Sequence, residues 1–155
     1  MALTASGNGL HGSCPAHPTA VARIRRGISD VARRCGADAE TLTRVELAVT
    51  EAATNVVLHA YRGPEPEGHI HTTARAIRDE LEVTIRDDGV GMCPHPESPG
   101  LGLGLSLMAH EADRCEITAA PGGGTEICMH FALPESHRFA ARGSLADTAG
   151  SCATC

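Results

Sequence analysis

The sequence predicts an α+β fold, a two-layer α/β sandwich in which helices cover one face of a mixed, mostly antiparallel sheet. Two observations predict it. Apolar residues recur every three or four positions over residues 19–61, and then at every second position over residues 68–87. A further helical stretch and two more strands follow to residue 133, an arrangement typical of layered α+β domains. A chain of 155 residues has room for one such domain.

The two ends of the chain lack any hydrophobic period. Residues 1–18 and 135–155 are rich in Gly, Ala and Ser, so we expect both segments to be disordered. The remaining residues, 19–134, form the predicted domain. Because no clear strand precedes the first helix, we expect a sheet of four strands.

The first two elements are predicted helices. The first covers about 19–35 and ends near Gly36. The second begins after Asp38, which caps it, and runs to about Tyr61, where the sequence Arg-Gly-Pro stops it.

The later elements alternate between strands and a helix. Strands are predicted at about 68–77 and 81–87, where Leu81, Val83 and Ile85 face the core. The other predicted elements are a helix at about 103–113 and strands at about 114–119 and 125–133.

Composition excludes several classes of partner. The net charge is -6, the arginines are scattered and only 2% of the residues are aromatic, so we expect no nucleic acid partner. No apolar run approaches the length of about 18 residues needed to span a bilayer, and the N-terminus lacks a secretion signal. We therefore expect a cytoplasmic protein without a membrane segment. Seven cysteines, an odd count, favour reduced thiols.

Glu51 and Asn55 form a polar pair on the second predicted helix. They are four residues apart and therefore lie one turn apart on the border of the apolar stripe. A carboxylate and an amide placed in this way could orient a hydroxyl and bind a hard cation through oxygen. The same spacing is also common on solvated helix edges, so both interpretations stay open.

Asp87 and Thr125 are polar residues with the strand parity of the core. A carboxylate on that face is costly to bury without a partner. The donor could be a backbone N–H of the following turn or an exocyclic amino group of a bound base. Two polar groups that point towards an apolar core indicate a site that binds the polar edge of a buried ligand.

Glycines cluster in two places, Asp87-Asp-Gly89-Val-Gly91 and Gly100-Leu-Gly102-Leu-Gly104. The second cluster opens a helix and could turn backbone N–H groups towards phosphate. Neither cluster is a Walker loop or a dinucleotide-binding fingerprint. Taken alone, each could be only a turn.

The motifs together resemble a known family. Glu51-Ala-Ala-Thr-Asn55, the two glycine clusters and Gly123-Gly124-Thr125 occur in the order found in the gyrase/Hsp90/histidine-kinase/MutL (GHKL) ATPases. The run from Thr50 to Asn55, followed by His-Ala-Tyr, is most similar to the anti-sigma-factor serine/threonine kinases. The resemblance covers about residues 20–133 and implies a Bergerat-type ATP-binding fold with ATP and Mg²⁺ as ligands.

The resemblance implies roles on the phosphate side of the nucleotide. Asn55 would complete the Mg²⁺ site, and Glu51 would be the base or orienter for the attacking hydroxyl. Gly102 and Gly104 would shape the lid over the phosphates.

It also implies roles on the base side. Asp87 would accept a hydrogen bond from the adenine amino group, and Thr125 would assist through a water. Gly89 belongs to the same motif, and Gly91 would let the chain pass against the base.

Two functions follow as alternatives. In the first, the protein is a kinase that phosphorylates a small anti-sigma-antagonist protein of the STAS type. In the second, it binds ATP or ADP and sequesters a sigma factor or antagonist without chemistry. Residues 92–99 contain no Lys or Arg to stabilise a transferring phosphoryl group, which favours the second. A homodimer is a further open alternative.

Overall fold

A computed structural model describes residues 3–7, 9–60, 68–90 and 101–134 of the chain. Its elements confirm the α+β class, with helices and later strands close to their predicted bounds. In chain order they are β1 (Thr4–Ser6), β2 (Gly9–Pro15), α1 (Pro18–Arg34), α2 (Ala39–His59), β3 (His69–Ile77), β4 (Glu80–Asp87), α3 (Leu101–Glu111), β5 (Arg114–Ala119) and β6 (Thr125–Ala132).

The six strands form one sheet in the order β1-β2-β3-β4-β6-β5. Every pairing between these strands is antiparallel, so the described part of the sheet is not mixed. The helices pack on one face, and the opposite face carries polar side chains. The sheet therefore has a core face and an open face.

The N-terminal segment corrects two sequence predictions. Residues 1–18 were expected to be disordered and the sheet to have four strands, but β1 and β2 extend the sheet to six. Strand β2 pairs with β3 along its whole length, from Gly9 opposite Arg75 to Pro15 opposite His69. Its Leu10 is buried in the core, as is Cys14. Pairing with β3 and burial of two side chains therefore stabilise a strand that the composition of this segment does not predict.

Local capping explains where the helices begin. Pro18 occupies the first turn of α1, where its missing N–H removes no helical hydrogen bond. Asp38 caps α2 as predicted, because its Oδ1 accepts from the Thr41 N–H at 2.8 Å. That N–H is also the main reason that the pKa of Asp38 lies below its usual value.

The core is aliphatic, as the composition requires. Buried positions alternate with half-buried ones along β4 and along β6, where the last residue, Ala132, is exposed. Buried side chains from α1, β4 and β6 meet at the centre, among them Ile24, Ile28, Leu81, Ile85, Met129 and Phe131. One polar exception is Thr72 of β3, which is 1% exposed and whose hydroxyl has no hydrogen-bond partner among the described residues.

Asp113 ties α2 to the end of the sheet. Its Oδ1 is 2.8 Å from Nη2 of Arg44 in α2, and its Oδ2 accepts from the Ala132 N–H at 2.7 Å. Burial raises the pKa of Asp113, but these two donors more than offset that effect and hold the pKa below its usual range.

Some predictions concern residues outside the described ranges. These are the helix end at Tyr61, the site residue Gly91 and the tail 135–155. Among the described helices, none combines the length and the apolar character that a bilayer crossing requires.

Candidate nucleotide site

Asp87 is the last residue of β4 and is 3% exposed, on the core face as its parity predicts. Its Oδ1 accepts a hydrogen bond from the backbone N–H of Gly89 at 2.9 Å. The turn therefore supplies one of the two donors that the sequence left open. A carboxylate has about four acceptor positions, so this bond leaves capacity for a donor from a ligand.

Thr125 and Gly124 lie directly beside Asp87. Arg86 of β4 pairs with Glu126 of β6 in the antiparallel register. The next residue on β4, Asp87, therefore lies opposite the preceding residue on β6, Thr125, and both are buried. Gly124 has a φ of +87°, and a Cβ built on it would overlap the Asp87 carbonyl oxygen and lie 2.8 Å from Oδ1. Only glycine fits this position, so the residue just before β6 packs directly against the Asp87 carboxylate.

Gly89 joins the turn after β4 to the end of α2. The Val90 N–H donates to the carbonyl oxygen of Ala60 at 3.0 Å, and a Cβ on Gly89 would overlap that oxygen. The glycine is thus needed for close packing against the helix. The contacts of Gly89 with Ala60 and Asp87 explain the need for glycine here without any contact to a ligand.

Glu51 and Asn55 are half-buried on α2, and α3 crosses them at Gly104. A Cβ on Gly104 would lie 3.1 Å from Oε2 of Glu51 and 3.5 Å from both terminal atoms of the Asn55 amide. Gly104 is therefore the point where α3 approaches the polar pair with bare backbone. Gly102 lies in the first turn of the same helix.

The amide nitrogen of Asn55 is buried and has no hydrogen-bond partner among the described residues. Such an orphaned donor is unusual, because buried polar groups are nearly always paired. An amide can be turned about its last bond, so either its oxygen or its nitrogen can face the gap. Within the described part of the chain, this buried donor therefore remains available for a further hydrogen bond.

The two clusters are connected through α2. Asn55 precedes Ala60 by five residues, which is about 8 Å along a helix axis. Beside the Asp87 cluster is a concavity of about 490 Å³ lined by residues of the β4 turn, β5 and the β6 start: Val90, Ile117, Thr118, Ala119, Gly123, Gly124 and Thr125. Its size suits part of a small ligand. A larger concavity of about 720 Å³ lies on the open face and touches none of these polar groups.

Sequence reasoning missed two parts of this site. Gly124 and the Ala60 carbonyl both position Asp87 or its turn, yet neither was a predicted site residue. The run of three glycines at 122–124 was the available signal, since all three have positive φ. The Ala60 carbonyl carries no sequence signal, because backbone groups look alike at every position. The predicted residues Glu51, Asn55 and Gly104 come together, whereas Gly91 lies outside the described residues.

The fold and these motifs define the class of the protein. Residues 14–131 match the histidine kinase-like ATPase domain, and the chain belongs to that family. Similar proteins include the anti-sigma F factor of Pasteuria penetrans, at 34% identity over 65% of this chain and 75% of the relative. Another is the serine-protein kinase RsbW of Bacillus pumilus, at 33% identity over 70% of this chain and 76% of the relative.

Solved structures show the same fold. The RsbU and RsbW domains of Rv1364c from Mycobacterium tuberculosis superpose with a TM-score of 0.63 at 20% identity, over 81% of this chain and 33% of that one. The histidine kinase domain of the blue-light-activated histidine kinase from Erythrobacter litoralis EL346 gives a TM-score of 0.52 at 25% identity, over 77% of this chain and 61% of that one. The RsbU–RsbW likeness supports the fold alone.

Proposed function

We propose that this chain is a cytoplasmic anti-sigma regulator that binds Mg-ATP and phosphorylates a Ser or Thr of a small antagonist protein of the STAS type. The orphaned Asn55 amide beside Glu51, under the bare backbone of Gly104, carries the proposal. These polar groups lie between α2 and α3. The family resemblance implies that the phosphates of the nucleotide bind in the same place. The relatives named anti-sigma F factor and serine-protein kinase RsbW support the biological setting.

The Asp87 cluster suits the base end of the nucleotide. A buried carboxylate with remaining acceptor capacity selects a ligand that presents an N–H donor, as the exocyclic amino group of adenine does. The Thr125 hydroxyl lies on the adjacent strand and can donate or accept through a water. A ligand lacking that amino group would leave Asp87 with the Gly89 N–H as its one described donor.

The residues present also fit a hard cation. If the Asn55 amide turns its oxygen into the gap, it offers the oxygen ligand that Mg²⁺ prefers, and phosphate oxygens and waters complete such sites. When bound, Mg²⁺ supplies neutralisation of charge on the phosphates. Glu51, one helical turn away, is placed to accept the proton of an attacking hydroxyl or to orient it.

A second function has its own supporting observation. The segment 92–99 has no Lys or Arg, so it offers no cation to the transferring phosphoryl group. This favours a domain that binds ATP or ADP and sequesters a sigma factor or its antagonist without chemistry. The two functions share one nucleotide site, and only the first requires Glu51 to accept a proton from an attacking hydroxyl.

Transfer of label from γ-labelled ATP to a STAS-type antagonist separates them. For a kinase, Glu51→Gln should keep ATP affinity and lower the transfer rate by about 10²–10⁴, the range typical of losing a general base. Asn55→Ala should weaken Mg²⁺-dependent ATP binding itself, because it deletes a metal ligand. Rates are compared at matched ATP occupancy.

Glu40→Gln is the matched control, since Glu40 is an exposed residue in the first turn of the same helix. It should transfer label at the wild-type rate. Undiminished transfer by Glu51→Gln would remove Glu51 as the base. ATP binding by the wild-type protein without transfer to any antagonist would favour the binding module, and failure to bind ATP would refute both functions.

A further inference from the structure

The open face of the sheet carries a cluster of three different metal-binding side chains. Glu82 on β4 and both Cys128 and His130 on β6 project from this face, and their ligand atoms all lie within 4.8 Å of one another. Glu82 is paired directly with His130 in the antiparallel register. None of the three belongs to the nucleotide site, which lies on the core face of the same strands.

The spacing of two of these atoms suits a tetrahedral ion. Cys128 Sγ and His130 Nε2 are 3.5 Å apart. A tetrahedral zinc with ordinary Zn–S and Zn–N bonds holds those atoms about 3.5 Å apart. The pair therefore needs little rearrangement to share one ion.

A carboxylate also lies behind the His130 ring. Its Nδ1 lies 3.2 Å from Oε2 of Glu80, although the two atoms are not aligned for a hydrogen bond. A small rotation of the Glu80 carboxylate would complete that bond and fix the ring proton on Nδ1. The lone pair of Nε2 would then face Cys128. A carboxylate behind the ring in this way is a recurrent feature of zinc-binding histidines.

Carboxylates lie near the Cys128 thiol. Glu116 faces Cys128 across the β5–β6 pair, and Glu82 and Glu126 are also close enough to interact with it. These carboxylates attract a cation, which would displace the thiol proton on binding. Two arginines compete for these carboxylates, since Arg75 Nε is 2.8 Å from Oε1 of Glu82 and Arg114 Nη2 is 3.5 Å from Oε2 of Glu80. The Arg75 ion pair engages only one of the two oxygens of Glu82.

We propose that Glu82, Cys128 and His130 bind a divalent cation of the zinc class on the open face of the sheet. The mixture of sulfur, nitrogen and oxygen ligands favours zinc over Mg²⁺ or Ca²⁺, which prefer oxygen alone. The fourth position is filled by water. Because the site and the nucleotide occupy opposite faces, the cation and ATP bind without competing.

Titration of the full-length, reduced, metal-free protein with Co²⁺ tests the site. Co²⁺ reports a bound thiolate through its sulfur-to-metal charge-transfer absorption, and a zinc competition then gives the zinc affinity. We expect this band to saturate at one equivalent in the absence of ATP. Cys128→Ala should abolish it, and Glu80→Gln should weaken zinc binding about 10- to 100-fold, as the loss of an outer carboxylate typically does.

Two controls separate this site from other thiols. Cys115→Ala removes a half-buried cysteine of neighbouring β5 that packs against the core instead, and should keep the band. Cys152→Ser/Cys155→Ser, which removes both tail thiols, should also keep it. Circular dichroism checks that each variant is folded, and Glu82→Gln, expected to weaken binding at least tenfold, replaces Cys128→Ala if that variant unfolds. No charge-transfer band, a band unchanged in Cys128→Ala and Glu82→Gln, or a band lost with the tail cysteines would overturn the proposal.

Discussion

Replacing Gly124 with Ala is expected to weaken nucleotide binding because the added Cβ collides with Asp87. At φ +87° an alanine is strained in any surroundings, by about 1–2 kcal/mol. The new methyl group would also lie 2.8 Å from Oδ1 of Asp87 and overlap its carbonyl oxygen. The carboxylate must therefore move away from the position in which it accepts the Gly89 N–H.

The size of the effect follows from the bond that is lost. A charge-assisted hydrogen bond to a buried carboxylate contributes about 2–3 kcal/mol. That corresponds to a loss of about 30- to 150-fold in nucleotide affinity. Asp87→Asn should weaken binding over the same range without the steric collision, because it presents a donor where the adenine amino group requires an acceptor.

Gly122→Ala separates backbone strain from the collision. Gly122 has nearly the same φ, +89°, but a Cβ there would meet nothing within 4 Å. Its alanine variant should lose about 1–2 kcal/mol of unfolding free energy and keep the wild-type affinity for ADP. Chemical denaturation and calorimetric titration measure the two quantities. If Gly124→Ala binds ADP as tightly as Gly122→Ala does, Asp87 is not part of the site.

Three further predictions concern the fold. Asp113→Asn should lose about 1 kcal/mol at pH 7, a figure kept low because the side chain is 43% exposed. The pKa of Asp113 is lowered in the folded state, so the stability it contributes is present above the ordinary pKa of about 3.9 and is lost as the pH falls through the folded-state pKa. The unfolding free energy of Asp113→Asn, measured with urea, should therefore depend less on pH than that of the wild type between about pH 2 and 5. Thr72→Val should raise the unfolding free energy by about 1 kcal/mol, because it removes an unpaired buried hydroxyl, and a decrease would show that the hydroxyl has a partner. Deleting residues 2–15 should lower it by at least the roughly 2–5 kcal/mol expected for losing the buried Leu10, and an unchanged melting temperature would contradict the packing of β2.

The sequence predicted those elements whose pattern is local. The apolar stripe of α1 and the alternation of β4 are visible in the sequence because one face of each element is buried in a continuous apolar core. Strand β2 could not be found in this way, since Gly, Ser and Pro make up most of it and only Leu10 and Cys14 are buried apolar residues. Its conformation comes from pairing with β3, a partner more than fifty residues away along the chain.

The site residues also divide into those that a local pattern predicts and those that only tertiary contacts bring into place. The spacing of Glu51 and Asn55 placed both on one helix edge, and strand parity placed Asp87 and Thr125 inward, as observed. What completes the site is tertiary: the approach of Gly104 to the helix pair and the fit of Gly124 against Asp87. Both depend on close contacts between separate elements. The sequence gives the order of these elements along the chain but not their distances from one another.

Helix α2 accounts for why the two polar clusters keep a fixed separation. It carries Glu51 and Asn55 directly, and its end accepts the Val90 N–H through the Ala60 carbonyl, which fixes the turn that donates to Asp87. A Cβ on Gly89 would force that turn away from the helix. Movement of α2 relative to the sheet must therefore shift the polar pair and the turn together.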